Sequence, residues 1–91
     1  MSKPIVLFGT GKIAEVVHHF MVHEAGITVA AFTVDAAFVG DGKKEGLPVV
    51  DFASVEKQFP PDKFDLFVAL GYHDMNVLRA NKIADAKAKG Y

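Results

Sequence analysis

A glycine-rich turn near the amino terminus is the part of this sequence best suited to hold a ligand. Residues 9–14 read GTGKIA, which has the form G-x-G-x-x-A, and they lie between an apolar run and an amphipathic segment. Two glycines allow a tight turn and a close approach of phosphate oxygens to the unpaired N–H groups of a helix N-terminus. The pattern predicts a phosphate-binding turn at Gly9, Thr10 and Gly11, and the alternative is a glycine turn that serves packing only.

The charge of Lys12 is consistent with an anionic ligand at this turn. A cation in the first turn of a helix opposes the helix dipole at a cost of about 0.3–1 kcal/mol, which a bound anion would reverse. A solvated surface lysine explains the residue equally well.

Two later segments contain further polar residues that could bind a ligand. Asp35 ends a second apolar run, where a carboxylate can accept hydrogen bonds from ribose hydroxyls or from a base N–H. Gly71, Tyr72 and His73 follow another such run: the glycine would let backbone approach a ligand, and Tyr72 or His73 could stack on a base or bind phosphate. The plain alternatives are an exposed turn aspartate and a residue that leads into a helix.

The sequence indicates neither a metal site nor a catalytic centre. His19 and His23 have the i, i+4 spacing that can chelate a metal, but no third ligand accompanies them. No nucleophile lies in a pattern that pairs it with a base. We therefore predict ligand binding without metal or catalytic residues in this chain.

The elements that must position these residues alternate along the chain. Apolar runs predict strands at 5–8, 28–34, 47–50 and 64–70, and residues 36–46 read as a surface loop. Helices are predicted from about Ile13 to Gly26, over 51–59 and over 75–89. This alternation predicts an α/β domain: a small, Rossmann-like, three-layer domain with a mostly parallel four-stranded sheet. Ligands of such sheets bind beyond the carboxyl ends of the strands, where the three polar segments would meet.

Length and composition limit the function classes. The chain has 91 residues and a net charge of -1, so it is a single domain, 1–91, without the basic surface that nucleic acid requires. It contains no cysteine, which excludes disulfides and thiolate zinc sites and fits a reducing cytoplasm. No apolar stretch approaches the roughly 18 residues of a membrane span. We expect a cytoplasmic protein without nucleic-acid or membrane partners.

Several ordered segments resemble one known protein family. They are FGTGKIAEV (8–16), AFTVD (31–35), GLPVV (46–50), FVALGY (67–72) and AKAKGY (86–91). Together they resemble the N-terminal domain of the sialic acid O-acetyltransferase type of sugar acyltransferases, the NeuD/PglD family. In that family a small Rossmann-like domain holds a UDP-sugar or a related sugar. A C-terminal left-handed β-helix of hexapeptide repeats binds acetyl-CoA, trimerises and carries the catalytic histidine.

The resemblance implies roles for individual residues. It implies that Gly11, Lys12 and Ile13 line the diphosphate, that Asp35 and Ala36 approach the nucleoside, and that Gly71 and Tyr72 border the same cleft. Lys12 stands where some members have glycine, no histidine here matches the catalytic one, and the sequence stops where the hexapeptide repeats would begin. The chain is therefore expected to bind a nucleotide sugar, to lack catalysis of its own and to leave acetyl-CoA to the missing domain.

Two other functions fit the same residues. Gly9, Gly11, Ala14 and Asp35 would also suit the NAD(P)-binding fragment of a sugar oxidoreductase, although a dinucleotide fold uses two mononucleotide-binding halves and this chain supplies little more than one. A non-catalytic interaction module that binds no small molecule is the third possibility.

Overall fold

The structure, a computed structural model, describes residues 3–69 and 76–91 as an α/β domain. The described strands are β1 (Ile5–Phe8), β2 (Val29–Val34), β3 (Lys43–Lys44), β4 (Leu47–Asp51) and β5 (Asp65–Val68). The α-helices are α1 (Lys12–His23), α2 (Val55–Gln58) and α3 (Asn76–Ala88), and two 3-10 turns cover Ala36–Phe38 and Phe52–Ser54. The predicted α/β class is confirmed.

The strands form one five-stranded sheet in the order β3-β4-β2-β1-β5. The pairs β1–β2, β1–β5 and β2–β4 are parallel, whereas β3 runs antiparallel to β4. The sheet is therefore mixed and five-stranded, so the predicted four-stranded sheet is wrong and the Rossmann-like description fits only in part. The order of the parallel strands reverses at β1, because the chain moves outward through β2 and β4 and then returns to β5.

The extra strand β3 lies within the segment predicted to be a loop. Glu45 and Gly46 join β3 to β4 and have φ angles of 54° and 78°. Two consecutive positive φ values are those of a type I′ hairpin turn, which usually carries Asn-Gly or Asp-Gly. Because this turn reads Glu-Gly and β3 has only two residues, the hairpin had no clear signature in the sequence.

Helices cover both faces of the sheet and divide the core in two. One apolar cluster lies under α1 and includes Leu7, Ala14 and Phe32. The other lies under α2 and α3 and includes Phe8, Val55 and Ala86. Alternate residues of β1 point to opposite faces, as the pleat of a strand requires, which explains why its whole sequence is apolar. The three-layer arrangement follows from these two clusters.

Helix ends agree with the sequence at several points. Asp51, the first residue of the predicted helix over 51–59, accepts a hydrogen bond from the Ala53 N–H at 3.0 Å and caps the 3-10 turn that precedes the short helix α2. Gly90, with φ 106°, follows the end of α3. Among residues 3–69 and 76–91, no helix combines the length and apolarity needed to cross a bilayer.

Candidate functional site

A cleft of about 240 Å³ opens at the carboxyl ends of β1 and β2. Its lining comes from both strand ends, from the 3-10 turn after β2 and from the first turns of α3: Phe8, Gly9, Thr10, Val34, Asp35, Phe38 and Leu78. Parallel strands of an open α/β sheet place their ligands at this edge. The fold thus brings the glycine-rich turn and Asp35, which are distant in sequence, to one cavity.

Gly9 begins the turn that shapes this cleft. Its N–H donates to the Thr33 carbonyl at 2.9 Å, which extends the pairing of β1 and β2 by one residue. Its φ of 118° then redirects the chain, and residues with a side chain rarely adopt that conformation. The first glycine of the motif is therefore required by the backbone itself.

Within the described part of the chain, no side chain caps the N-terminus of α1. Gly11 occupies the N-cap with φ −82° and makes no capping hydrogen bond. The first intrahelical bond runs from the Glu15 N–H to the Gly11 carbonyl at 3.1 Å, so the N–H groups of the preceding helical residues have no acceptor within the helix. A Cβ built on Gly11 would meet none of the described atoms within 4 Å. Unpaired N–H groups and free space are the two requirements of an anion-binding helix end.

Charged side chains surround this helix end. Lys12 is exposed in the first turn, and Glu15 pairs with Lys44 of β3 at 2.9 Å. The hydrogen bond from Lys44, followed by the charge of Lys44, lowers the pKa of Glu15, and Lys12 adds a smaller effect in the same direction. Glu15 is therefore ionised at neutral pH and is held against β3.

Asp35 is held by a lysine from the other end of the chain. Lys82 of α3 donates to Asp35 Oδ1 at 2.7 Å. The Lys82 side chain is 13% exposed and that of Asp35 is 47% exposed. The ammonium lies 5.2 Å from the ring centroid of Phe8 and 4.9 Å from that of Phe52, within the range of cation–π attraction. The carboxylate thus faces solvent at the cleft while its partner is nearly buried.

An exposed aromatic ring stands beside the cleft. Phe38, on the 3-10 turn after β2, is 71% exposed. It also borders a second depression of about 260 Å³ that shares Thr10 with the cleft. Exposed aromatic side chains that border a cleft are well suited to stack on planar ligand groups.

The structure brings part of the predicted residue set together. Gly9, Thr10 and Asp35 line one cleft, whereas Gly11, Lys12 and Ile13 form the adjacent start of α1 and do not line it. Ala36 is exposed at the start of the 3-10 turn. The predicted residues Gly71, Tyr72 and His73 lie outside the described residues. The binding roles of all these residues stay predictions.

Three residues of this region were missed by sequence reasoning. Phe38 was assigned to a surface loop, and Leu78 reaches the cleft from α3. Lys82, which lies in the segment predicted to be the last helix, pairs with Asp35 across the fold. No local pattern connects Lys82 to Asp35, so only the tertiary structure reveals the pair.

Among the described residues, no three His, Cys, Asp or Glu side chains are placed to hold a metal ion. The rings of His19 and His23 lie 4.4 Å apart, as their spacing on α1 dictates.

Solved structures of sugar acetyltransferases contain this fold. Perosamine N-acetyltransferase from Caulobacter crescentus, solved in complex with CoA and GDP-perosamine, is 28% identical with a TM-score of 0.75. That alignment covers 97% of this chain and 39% of the Caulobacter protein. The chain is thus similar to a sugar acetyltransferase over nearly all of its own length and over less than half of the other protein.

A second similar protein shares the fold. The acetyltransferase domain of PglB from Neisseria gonorrhoeae is 23% identical with a TM-score of 0.72, and the alignment covers 99% of this chain and 42% of that one. The same domain in complex with acetyl coenzyme A matches at 22% identity and a TM-score of 0.72. No protein-family profile and no curated protein matches the sequence. The chain has the fold of a module found in sugar acetyltransferases.

Proposed function

We propose that this chain is the nucleotide-sugar-binding N-terminal module of a sugar acyltransferase of the NeuD/PglD type. The observation that supports it most directly is the uncapped N-terminus of α1, next to a cleft that contains Asp35 and the exposed Phe38. A nucleoside diphosphate has the matching parts: an anionic diphosphate, hydrogen-bond donors on the ribose and base, and a planar ring.

Each part of the ligand has a partner in this proposal. The diphosphate accepts hydrogen bonds from the first N–H groups of α1, with Lys12 adding positive charge. The nucleoside lies in the cleft, where Asp35 accepts from ribose hydroxyls or a base N–H and Phe38 packs against the base. These contacts bind and orient a sugar acceptor. The proposal assigns no catalytic residue to this chain.

Acetyl-CoA, the acyl donor, belongs elsewhere in the proposed protein. The similar proteins were solved with CoA or acetyl coenzyme A, and this chain corresponds to only 39–42% of their length. The cleft here, at about 240 Å³, is smaller than the roughly 300–1,000 Å³ of most ligand pockets, and its lining includes Asp35 and Phe38, which suit a nucleoside. We propose that donor binding, acyl transfer and trimerisation all require a hexapeptide-repeat domain.

Two nucleotide bases, uracil and guanine, fit the proposed site. The family resemblance implies a UDP-sugar, whereas the Caulobacter neighbour was solved with GDP-perosamine. Asp35 could accept a hydrogen bond from the N–H of either uracil or guanine, and the stacking of Phe38 suits both rings.

Isothermal titration calorimetry of the whole chain tests this function. We expect UDP, GDP or one of their sugar conjugates to bind, and acetyl-CoA and NAD to give no heat of binding. Binding of NAD with no response to any nucleoside diphosphate would instead support the oxidoreductase fragment. A chain that responds to none of these ligands would be an interaction module.

A pair of phenylalanine variants then tests the location of the site. Phe38→Ala should weaken binding of the active nucleotide by about tenfold, because base–aromatic stacking contributes about 1–3 kcal/mol. Phe67→Ala is the control, since Phe67 of β5 is also exposed, at 43%, but does not line the cleft. Equal effects of the two variants would argue against stacking at Phe38.

A further inference from the structure

Two aspartates of this fold occupy equivalent positions but use their carboxylates differently. Asp35 follows β2 and Asp51 ends β4, and each is the N-cap of a three-residue 3-10 turn. Their backbones are similar, with φ, ψ of −63°, 150° and −68°, 126°. Asp51 accepts from the N–H two residues later at 3.0 Å, whereas Asp35 makes no side-chain capping bond. Backbone conformation therefore does not explain the difference.

The difference lies in Lys82. Its ammonium draws the Asp35 carboxylate away from its own turn through a 2.7 Å hydrogen bond. The rings of Phe8 and Phe52 hold the ammonium in place, and the Lys82 side chain is only 13% exposed. An aspartate at an N-cap usually accepts a hydrogen bond from a backbone N–H of its own turn. Asp35 instead accepts one from Lys82, which is distant in sequence.

This exchange keeps the carboxylate at the cleft. Asp35 lines the cleft and also a separate depression that Lys82 and Phe52 line, so it forms the boundary between these two cavities. The Lys82 bond uses Oδ1, and within residues 3–69 and 76–91 no hydrogen bond to Oδ2 is formed. One oxygen is anchored and the other remains able to accept from a ligand.

We infer that Lys82 is a positioning residue, which holds Asp35 ready to accept hydrogen bonds from the nucleoside of the bound ligand. The inference rests on the proposed function for its ligand. Nucleoside recognition then also depends on α3, because Lys82 acts on Asp35 although it does not itself line the nucleotide cleft. Preorganisation of this kind strengthens binding because the carboxylate loses no freedom when the ligand arrives.

Binding measurements on three lysine variants test the inference. Lys82→Met removes the ammonium. If the wild-type chain binds UDP or GDP, this variant should bind the same nucleotide about tenfold more weakly, which is the effect of losing one charge-assisted hydrogen bond. Lys82→Arg keeps the charge and should restore most of the affinity. Lys87→Met, at an exposed lysine of the same helix, should leave affinity unchanged.

Combining variants separates positioning from a general loss of structure. If Lys82 acts through Asp35, then Asp35→Asn together with Lys82→Met should bind no more weakly than Asp35→Asn alone. The 2′,3′-dideoxy nucleotide, which lacks the ribose hydroxyls, distinguishes the ribose from the base as the donor to Asp35. If Lys82→Met does not change the affinity for this analogue, the ribose hydroxyls are the donors. If Lys82→Met still lowers that affinity tenfold, the donor is the base. Unchanged affinity in a folded Lys82→Met chain would overturn the inference.

A ligand-free measurement keeps this inference separate from the proposed function. In Lys82→Met the Asp35 carboxylate should return to its own turn and accept from the Ala37 N–H, as Asp51 does from Ala53. The Ala37 amide proton should then shift downfield in the NMR spectrum of the free chain. If that resonance does not move, Lys82 does not hold Asp35, whatever nucleotide binds. If it moves but no nucleotide binds the wild-type chain, the proposed function fails and the inferred ligand role fails with it.

Discussion

At the scale of single residues, the two glycines of the G-x-G-x-x-A motif have different roles. Gly9 needs its positive φ of 118°, so the fold itself requires a glycine there. Gly11 has φ −82°, which any residue can adopt, and a Cβ at this position would meet no atom of residues 3–69 and 76–91 within 4 Å. Two physical reasons for a glycine remain at this position: the preference of helix N-caps for glycine over alanine, and close approach of a ligand.

This contrast gives a prediction for Gly11→Ala. The free energy of unfolding should change by less than about 1 kcal/mol, the usual difference between glycine and alanine at an N-cap. Binding of the nucleotide should weaken by about tenfold or more, because the added methyl group occupies the space of the diphosphate. Chemical denaturation and calorimetry measure the two quantities. Ala25→Val, at an exposed position beyond the other end of α1, is the control for added bulk.

An unchanged affinity in Gly11→Ala would place the phosphates away from α1. A large loss of stability would mean that the space beside Gly11 is needed by the fold, and that the glycine is structural after all.

The candidate site could be predicted from sequence only where its signals are local. The glycine-rich turn and Asp35 each follow a buried strand, so rules for parallel sheets place them at the same edge. Phe38 had no such signal, since a single aromatic residue in a polar segment fits a loop as well as a binding surface. Lys82 could not be found, because a pair between β2 and α3 depends on how the helix packs.

At the scale of elements, the β3–β4 hairpin carries the main departure from expectation. Glu45 has a φ of 54° and is exposed, so it occupies a left-handed conformation without compensating packing. For residues other than glycine, asparagine and aspartate, this conformation costs roughly 1–2 kcal/mol. The strand forms in spite of its turn sequence.

Glu45→Asn should therefore stabilise the protein. We expect an increase of about 0.5–1 kcal/mol in the free energy of unfolding, since Asn-Gly is the favoured pair in a type I′ turn. Denaturant titration measures this change. Glu45→Gln removes the same charge without the conformational preference and should have little effect. Equal stabilisation by both variants would assign the gain to charge instead of turn geometry.

The strand β1 and the turn after β4 were predictable because their sequence patterns agree with their surroundings. β1 is apolar at every residue and is covered on both faces, and Asp51 is an aspartate that caps its own turn. The failures lie where two residues make a strand or where a turn uses an unusual amino acid. Local propensity carries little information in both situations, and pairing with β4 decides the structure.

At the scale of the whole molecule, ion pairs join elements that are far apart in sequence. Lys89 at the end of α3 donates to Glu56 of α2 at 2.9 Å and to the Ala53 carbonyl at 3.1 Å. The Tyr91 hydroxyl donates to the Phe59 carbonyl close by. These contacts fix the end of the chain against the face of the sheet that α2 covers.

The Glu56–Lys89 pair predicts how stability depends on pH. The hydrogen bond from Lys89 is the largest of the effects that lower the pKa of Glu56 below its ordinary value of 4.5. A carboxyl group with a lowered pKa in the folded state stabilises that state above pH 4.5. This contribution is lost as the pH falls from 4.5 through the folded-state pKa, because protonation then breaks the ion pair.

The melting temperature should accordingly fall on acidification below pH 4.5, and Glu56→Gln should make that fall smaller. Glu24→Gln is the matched control, since Glu24 is an exposed glutamate beyond the end of α1 for which no such pair is formed among residues 3–69 and 76–91. Thermal unfolding of the three chains between pH 3 and pH 7 measures the difference. Parallel curves for wild type and Glu56→Gln would show that Lys89 adds nothing to folding through this pair. In that result the Tyr91 and Ala53 contacts, neither of which depends on the charge of a carboxylate, would still hold the chain end.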